Sequence, residues 1–183
     1  MSEREEKYRK VFIPKLHTFS YDDNRVARSK EVSTPPLIEP MVVDTRKIPR
    51  SNYAMFSGTA SEIETMRKMV MSSDNEGVRL YVPPWVSMDW EHKASPTILS
   101  NPNLLKVYGR AGWGTIWTCQ VEGKEFVHIP YTKGDDPEIY FNTKTLELMN
   151  LMKETEKIKQ EFGTLNGMNF VARNILADVK PLL

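Results

Sequence analysis

The stretch Gly109-Arg110-Ala111-Gly112-Trp113-Gly114-Thr115 contributes most to the fold predicted for this chain. It follows the run 103–108, which is typical of a strand, and it precedes the run 116–122, which is typical of a helix. A glycine-rich turn between a strand and a helix directs free backbone N–H groups and the positive end of the helix dipole toward an anion. The stretch therefore indicates an anion-binding turn in an α/β protein.

The residues within the turn support this interpretation. Gly112 and Gly114 lack side chains, so a phosphate group would be able to approach the main chain closely. Arg110 would add a guanidinium group that faces the same position. The alternative is a tight turn that needs glycine only for its backbone angles, and the spacing by itself leaves both interpretations open.

Neither familiar phosphate-binding motif is complete here. Gly109 and Gly114 have the spacing of a P-loop, but Thr115 stands where that loop requires lysine. A dinucleotide fingerprint requires a third glycine three residues after Gly114, and Trp117 occupies that position. An acidic pair, Asp135-Asp136, does lie about twenty residues further on, as the fingerprint expects. The turn therefore matches neither standard motif, although the acidic pair keeps the exclusion of the dinucleotide fingerprint from being complete.

Composition limits the remaining possibilities. A chain of 183 residues with a net charge of +1 fits about one domain and shows no basic footprint for nucleic acid or an anionic membrane. No apolar run reaches the length of a membrane span, and the polar first residues do not resemble a signal peptide. The single cysteine, Cys119, excludes an internal disulfide and is expected to be a small buried side chain. We expect a cytoplasmic protein without a metal site, since His17, His92 and His128 lack ligand spacing.

The predicted organisation is an N-terminal extension and linker over residues 1–40, followed by one domain over residues 41–183. A run of prolines and turn formers over 34–40 marks the linker, and Val11-Phe12-Ile13 is the one apolar run before it. Strands are predicted at 41–43, 52–57, 78–82, 104–108 and 126–129, and helices at about 61–73, 116–122, 136–151 and 168–179.

Short strands that alternate with helices predict a parallel sheet covered on both faces, that is, a Rossmann-like α/β fold. In such sheets ligands bind beyond the carboxyl ends of the strands. Three loops rich in glycine or short polar residues are predicted at these ends: 58–61, 109–115 and 131–137. Their convergence favours a ligand site there.

These residues resemble a known family. The segments 109–117, 122–130 and 135–137, with Asn142, look like the donor-binding, C-terminal half of GT-B glycosyltransferases. The resemblance covers Thr34 to the C-terminus and includes the order and spacing of four elements. It implies a chain that binds a nucleotide-diphosphate sugar and transfers the sugar to an acceptor hydroxyl, with no cofactor besides that substrate.

The resemblance also assigns donor-binding roles to particular residues. The donor diphosphate would lie on the main chain of the glycine turn, with Arg110 in the position where most members have histidine. The loop after the first strand of the domain would face the same diphosphate, and an acidic pair would bind the sugar hydroxyls. The residues are Gly58, Thr59, Arg110, Gly112, Gly114, Thr115, Asp135 and Asp136.

Departures from the family pattern leave alternatives open. Thr118 stands where many members have a glutamate that holds the ribose, and Asp136 replaces a common glutamine. The acceptor-binding N-terminal domain is missing, so we expect a partner chain or a longer enzyme to supply it, with little turnover by this half alone. His17 is a conceivable base but is more often a surface residue in such a place. The alternative function is a non-catalytic nucleotide-binding or protein-interaction module, and a nicotinamide-cofactor enzyme is disfavoured by Trp117.

Overall fold

The computed structural model describes residues 10–14, 30–38, 41–73, 77–86, 92–131, 136–148 and 150–179. The chain divides into two compact units, one of residues 1–39 with 150–183 and the other of residues 40–149. The sequence analysis placed the C-terminal helices in the same domain as the glycine turn. In the structure they group with the N-terminal segment, where the Gly167 N–H donates to the Pro36 carbonyl at 3.0 Å.

Two parallel strands and two helices lie in the described residues of the first unit. Strand β1 (Val11–Pro14) pairs with β2 (Glu31–Thr34), which lies inside the region predicted to be a linker. Pro35 and Pro36 follow β2 directly, and proline cannot donate to a strand ladder, so the strand ends there. The two helices are α4 (Leu151–Phe162) and α5 (Gly167–Val179).

Local signals explain where these two helices begin and end. The Asn150 side chain accepts a hydrogen bond from the Lys153 N–H and caps α4, which ends at Gly163 in the left-handed conformation. Helix α5 has the predicted amphipathic sequence, yet Met168 and Ile175 on its apolar face remain about half exposed. An apolar stripe therefore predicted the helix correctly but not the burial of that face.

The second unit is a four-stranded parallel sheet with the order β4-β3-β5-β6. Its strands are β3 (Ser51–Ala54), β4 (Arg79–Tyr81), β5 (Leu104–Gly109) and β6 (Glu125–His128). Helix α1 (Ala60–Ser72) joins β3 to β4, α2 (Trp113–Val121) joins β5 to β6, and α3 (Pro137–Leu148) follows β6. A short 3-10 helix (Pro96–Ser100) precedes β5. The predicted Rossmann-like α/β fold with parallel strands flanked by helices is confirmed.

Both faces of this sheet are covered. Ala54 and Tyr108 pack in a cluster with Met66 of α1, while their neighbours Tyr53 and Val107 pack in a second cluster with Cys119 of α2. Successive residues of a strand point to opposite faces, which is why adjacent residues join different clusters. All four residues of β3 are buried, as expected for a strand in the interior of a doubly covered sheet.

Some predicted boundaries are wrong for identifiable reasons. Residues 41–49 form no strand, because their backbone groups bond to side chains: the Asp44 N–H donates to Ser100 Oγ at 2.8 Å, and Asn101 Nδ2 donates to the carbonyl of Arg46 at 2.8 Å. The helix predicted at 136–151 ends at Leu148, and a new helix starts after the Asn150 cap. The helix predicted from residue 116 begins three residues earlier, at Trp113, inside the stretch predicted to be the glycine turn.

Candidate functional site

The candidate site lies where the strand order of the sheet reverses direction. From β3 the chain crosses through α1 to β4 on one side, and from β5 it crosses through α2 to β6 on the other. The loops that leave β3 and β5 therefore diverge at the carboxyl end of the sheet, and the space between two such loops is where doubly wound sheets bind ligands. We call this space the switch-point crevice; residues 55–59 and 110–112 form its two loops.

Contacts across the crevice place the predicted residues of both loops together. The Met55 N–H donates to the Tyr108 carbonyl at 2.8 Å, and Thr115 Oγ1 lies 3.6 Å from Met55 Sδ. A side chain at Gly58 would collide with the side chain of Arg110. The structure therefore brings Gly58 next to Arg110 and Met55 next to Thr115, although the two loops are about fifty residues apart in the sequence.

The amino-terminal end of α2 opens into this region without a cap. The first backbone bond of the helix runs from the Ile116 N–H to the Gly112 carbonyl at 3.0 Å, so the N–H groups of residues 113–115 have no partner within the helix. No side chain of the described residues caps this end, whereas Thr59 caps α1. Three N–H groups and the positive end of the helix dipole are therefore available to an anion.

Neither glycine at the start of α2 is required by the backbone. Gly112 has φ −84° and ψ 132°, values that any residue adopts, and Gly114 lies in the first turn of a right-handed helix. A Cβ atom at either position would meet no atom within 4 Å, while at Gly109 it would lie 3.5 Å from the Phe126 ring. The alternative that glycine serves only the turn geometry is therefore not supported at these two positions. Because neither residue has a side chain, the space above the helix end stays open.

Arg110 does not reach freely into the crevice. Its Nε donates to Oε1 of Glu62 at 2.6 Å, and Glu62 is fully buried at the start of α1. The second carboxylate oxygen, Oε2, accepts from the Thr59 N–H at 2.6 Å. This ion pair was not predicted from the sequence, although Thr59-x-x-Glu62 is a recognisable capping box.

The hydroxyl of Thr59 has a structural role. Thr59 Oγ1 accepts from the Glu62 N–H at 3.3 Å and lies 3.0 Å from Ser61 Oγ, so it caps α1. Gly58 just before it has φ +109°, a conformation that side chains disfavour. A side chain at Gly58 would also collide with Glu62, so both the backbone conformation and the packing require glycine at this position.

The acidic pair predicted to bind sugar hydroxyls is only partly described. Asp135 lies outside the described residues. Asp136 is exposed, and its Oδ1 accepts from the Glu138 N–H at 2.8 Å, which caps the start of α3. No contact in the described part of the chain joins Asp136 to the glycine turn.

Helix α3 reaches the turn through a different residue. Asn142 is fully buried, and its Nδ2 donates to the Ala111 carbonyl at 2.7 Å. This bond fixes the middle of the 110–112 loop, next to the residue that pairs with Glu62. The resemblance contained Asn142, but no sequence spacing indicated this contact across 31 residues.

The two indoles near the turn are mainly packed in the interior. Trp113 is 9 % exposed and stacks on Trp117 with ring centroids 6.1 Å apart. Its Nε1 is buried and has no hydrogen-bond partner among the described residues. Thr118 stands where many GT-B glycosyltransferases carry a glutamate. Its Oγ1 donates to the Gly114 carbonyl at 2.8 Å.

The remaining predicted groups do not form a reactive centre in the described part of the chain. Cys119 is fully buried in α2, as predicted, and burial raises the pKa of its thiol to about 12. Among the described residues, no group of three histidine, cysteine or acidic side chains is arranged to hold a metal ion. His17 lies outside the described residues. The described helices include none that is long and apolar enough to cross a membrane.

Comparisons with protein-family models, with curated proteins and with solved structures give no significant match. A function for this chain must therefore be inferred from the geometry of the switch-point crevice.

Proposed function

We propose that the switch-point crevice binds a nucleotide-diphosphate sugar, and that the chain is the donor-binding half of a glycosyltransferase. The observation that carries this proposal is the open space above Gly112 and Gly114 at the uncapped end of α2. Neither the backbone nor the packing requires glycine there, so the space serves something that approaches the main chain. A diphosphate fits because it is anionic and accepts several N–H bonds.

The charges near the helix end support the choice of a diphosphate. The N–H groups of residues 113–115 donate toward the crevice, and Arg110 is 25 % exposed beside them. Charge-assisted bonds from such groups are about twice as strong as neutral bonds. The pattern of residues 109–117 and 122–130, which resembles GT-B glycosyltransferases, extends the proposal from a diphosphate to a nucleotide-diphosphate sugar.

In the proposed reaction an acceptor hydroxyl attacks the anomeric carbon of the donor sugar. The bond from that carbon to the diphosphate oxygen breaks, and the electron pair leaves with the nucleoside diphosphate. The end of α2 and Arg110 stabilise the negative charge that develops on this leaving group. The acceptor and the base that removes its proton would come from a partner chain or from a missing domain.

Calorimetric titration of the purified chain tests the donor site. The ligands are uridine, guanosine and adenosine diphosphates, their monophosphates and their sugar conjugates. We expect saturable binding of one diphosphate and its sugar conjugate, and much weaker binding of the monophosphate. If a folded chain binds none of these ligands, the donor site is refuted and the non-catalytic protein-interaction module takes its place.

The structure also determines which variant is informative. Arg110→Ala would abolish the guanidinium contact, but it would leave the buried Glu62 carboxylate without its cation, and an unpaired buried charge destabilises a protein strongly. Loss of binding in that variant is therefore meaningful only if its unfolding curve shows a folded chain. Gly114→Ala leaves the ion pair intact and is the cleaner test.

A further inference from the structure

The ion pair between Glu62 and Arg110 connects the two loops of the switch-point crevice. Glu62 lies in the first turn of α1, after the β3 loop, and Arg110 lies in the β5 loop, 48 residues further along the chain. Both oxygens of the buried carboxylate are engaged, Oε1 by Arg110 Nε and Oε2 by the Thr59 N–H, each at 2.6 Å. The carboxylate therefore fixes one loop relative to the other.

The geometry of the pair leaves part of the guanidinium unused. Glu62 accepts from Nε only, and the terminal Nη1 and Nη2 groups of Arg110 have no acceptor among the described residues. A guanidinium is planar, so fixing Nε restricts the directions in which the Nη groups point. A quarter of the Arg110 side chain remains exposed, so part of the side chain is accessible to a ligand.

We propose that Glu62 is a positioning residue, which holds Arg110 so that its two terminal amino groups bind the diphosphate at the end of α2. This inference rests on the proposed function, because it names the residue that orients the Arg110 contact in the same site. Arg110 stays paired when the ligand binds, since its departure would leave a buried carboxylate without a cation. The diphosphate then binds the Nη groups and leaves the bond between Arg110 Nε and Glu62 in place.

The identity of residue 58 agrees with this role. A Cβ atom there would meet both Glu62 and Arg110, so any larger residue would push the pair apart. Gly58 thus permits the ion pair to form directly beneath the loop that precedes α1.

The test is a Glu62→Gln variant. The two donors bond to different oxygens of the Glu62 carboxylate, and in glutamine one of these oxygens is replaced by an NH2 group, which donates and cannot accept. The amide therefore cannot reproduce both bonds in this geometry. We expect affinity for the nucleoside diphosphate that the wild type binds, and for inorganic pyrophosphate, to fall about tenfold or more. In an Arg110→Ala background the same change is expected to alter affinity less than twofold, because Glu62 acts through Arg110.

A readout without ligand tests the positioning directly. In a ¹H–¹⁵N spectrum, the Nε–H signal of Arg110 is expected to exchange slowly with water in the wild type and rapidly in Glu62→Gln. Val70→Ala serves as the control for stability, because Val70 is buried in α1 away from Arg110 and its truncation destabilises the same helix. This control is expected to keep both the slow signal and the wild-type affinity.

A second variant covers the case in which Glu62→Gln does not fold. Glu62→Asp keeps the charge but withdraws the carboxylate by one methylene, so it cannot reach both partners, and a loss of affinity of at least several-fold is expected.

Wild-type affinity in the folded Glu62 variants would overturn the positioning role and leave the donor site standing. Equal losses from Glu62→Gln with and without Arg110 would also overturn it. If the wild type binds no diphosphate or pyrophosphate, both proposals fall together, whatever the Nε–H signal shows.

Discussion

Replacing Gly114 by alanine separates the stability of the fold from the binding of a ligand. Gly114 lies in the first turn of α2, is exposed, and has no atom within 4 Å of the position where a Cβ would stand. Alanine loses less conformational entropy than glycine in a helix, so the free energy of unfolding should rise by about 0.5–1 kcal/mol. The added methyl group occupies the space through which a phosphate would approach the N–H groups.

The expected loss of affinity follows from the same geometry. A hydrogen bond to a charged group contributes about 1.5–3 kcal/mol, and displacing the diphosphate from one such bond lowers affinity about tenfold to 100-fold. Urea unfolding measures the stability, and calorimetric titration with the nucleoside diphosphate measures the affinity. A variant that is more stable and yet binds more weakly would identify glycine as a requirement of the ligand.

The control is Thr65→Ala in α1, which also raises helix propensity but lies outside the crevice loops. It should increase stability by several tenths of a kcal/mol and leave affinity unchanged. The reasoning is refuted if Gly114→Ala binds the diphosphate as tightly as the wild type. It is equally refuted if the variant loses more than about 1 kcal/mol of stability, because the fold itself would then need the glycine.

Three further predictions concern the turn and the helix that follows it. Asn142→Ala removes the donor to the buried Ala111 carbonyl, so the free energy of unfolding in urea should fall by about 1–3 kcal/mol; an unchanged value would show that the bond does not hold the loop. The Cys119 thiol, whose pKa burial raises to about 12, should resist a thiol-specific reagent at pH 8 until the protein unfolds, and rapid reaction of the native chain would contradict its burial. Since the unfolded thiol ionises near pH 9.0 and the native thiol does not, Cys119 should lower stability progressively between pH 9 and 12, an effect that Cys119→Val should remove.

Features of the fold that depend on neighbours in the sequence were predictable. The strand, glycine turn and helix around Gly109–Thr115 are adjacent in the chain, and the structure contains all three. The cap of α1, Thr59-x-x-Glu62, likewise consists of residue types at a fixed local spacing. Alternation of short strands with helices was sufficient to predict a parallel α/β sheet.

Assignments that depend on distant parts of the chain were not predictable in the same way. Residues 31–34 have no periodic pattern, which predicts a linker, but they form β2 because β1 offers a partner. Helices α4 and α5 were assigned to the domain of the glycine turn, while they group with the N-terminal strands. Apolar spacing predicts that a helix forms, and it contains no information on which segment that helix packs against.

The local parts of the candidate site, a glycine turn that opens a helix and Arg110 beside it, are therefore predictable from neighbouring residues. How these parts combine is seen only in the folded chain. The order β4-β3-β5-β6 places the loop of Gly58 beside that of Arg110, and it pairs Arg110 with Glu62 across 48 residues. Local spacing fixes which backbone groups are exposed at a helix end, whereas the partner of a buried charge is fixed by strand order, which a local pattern does not encode.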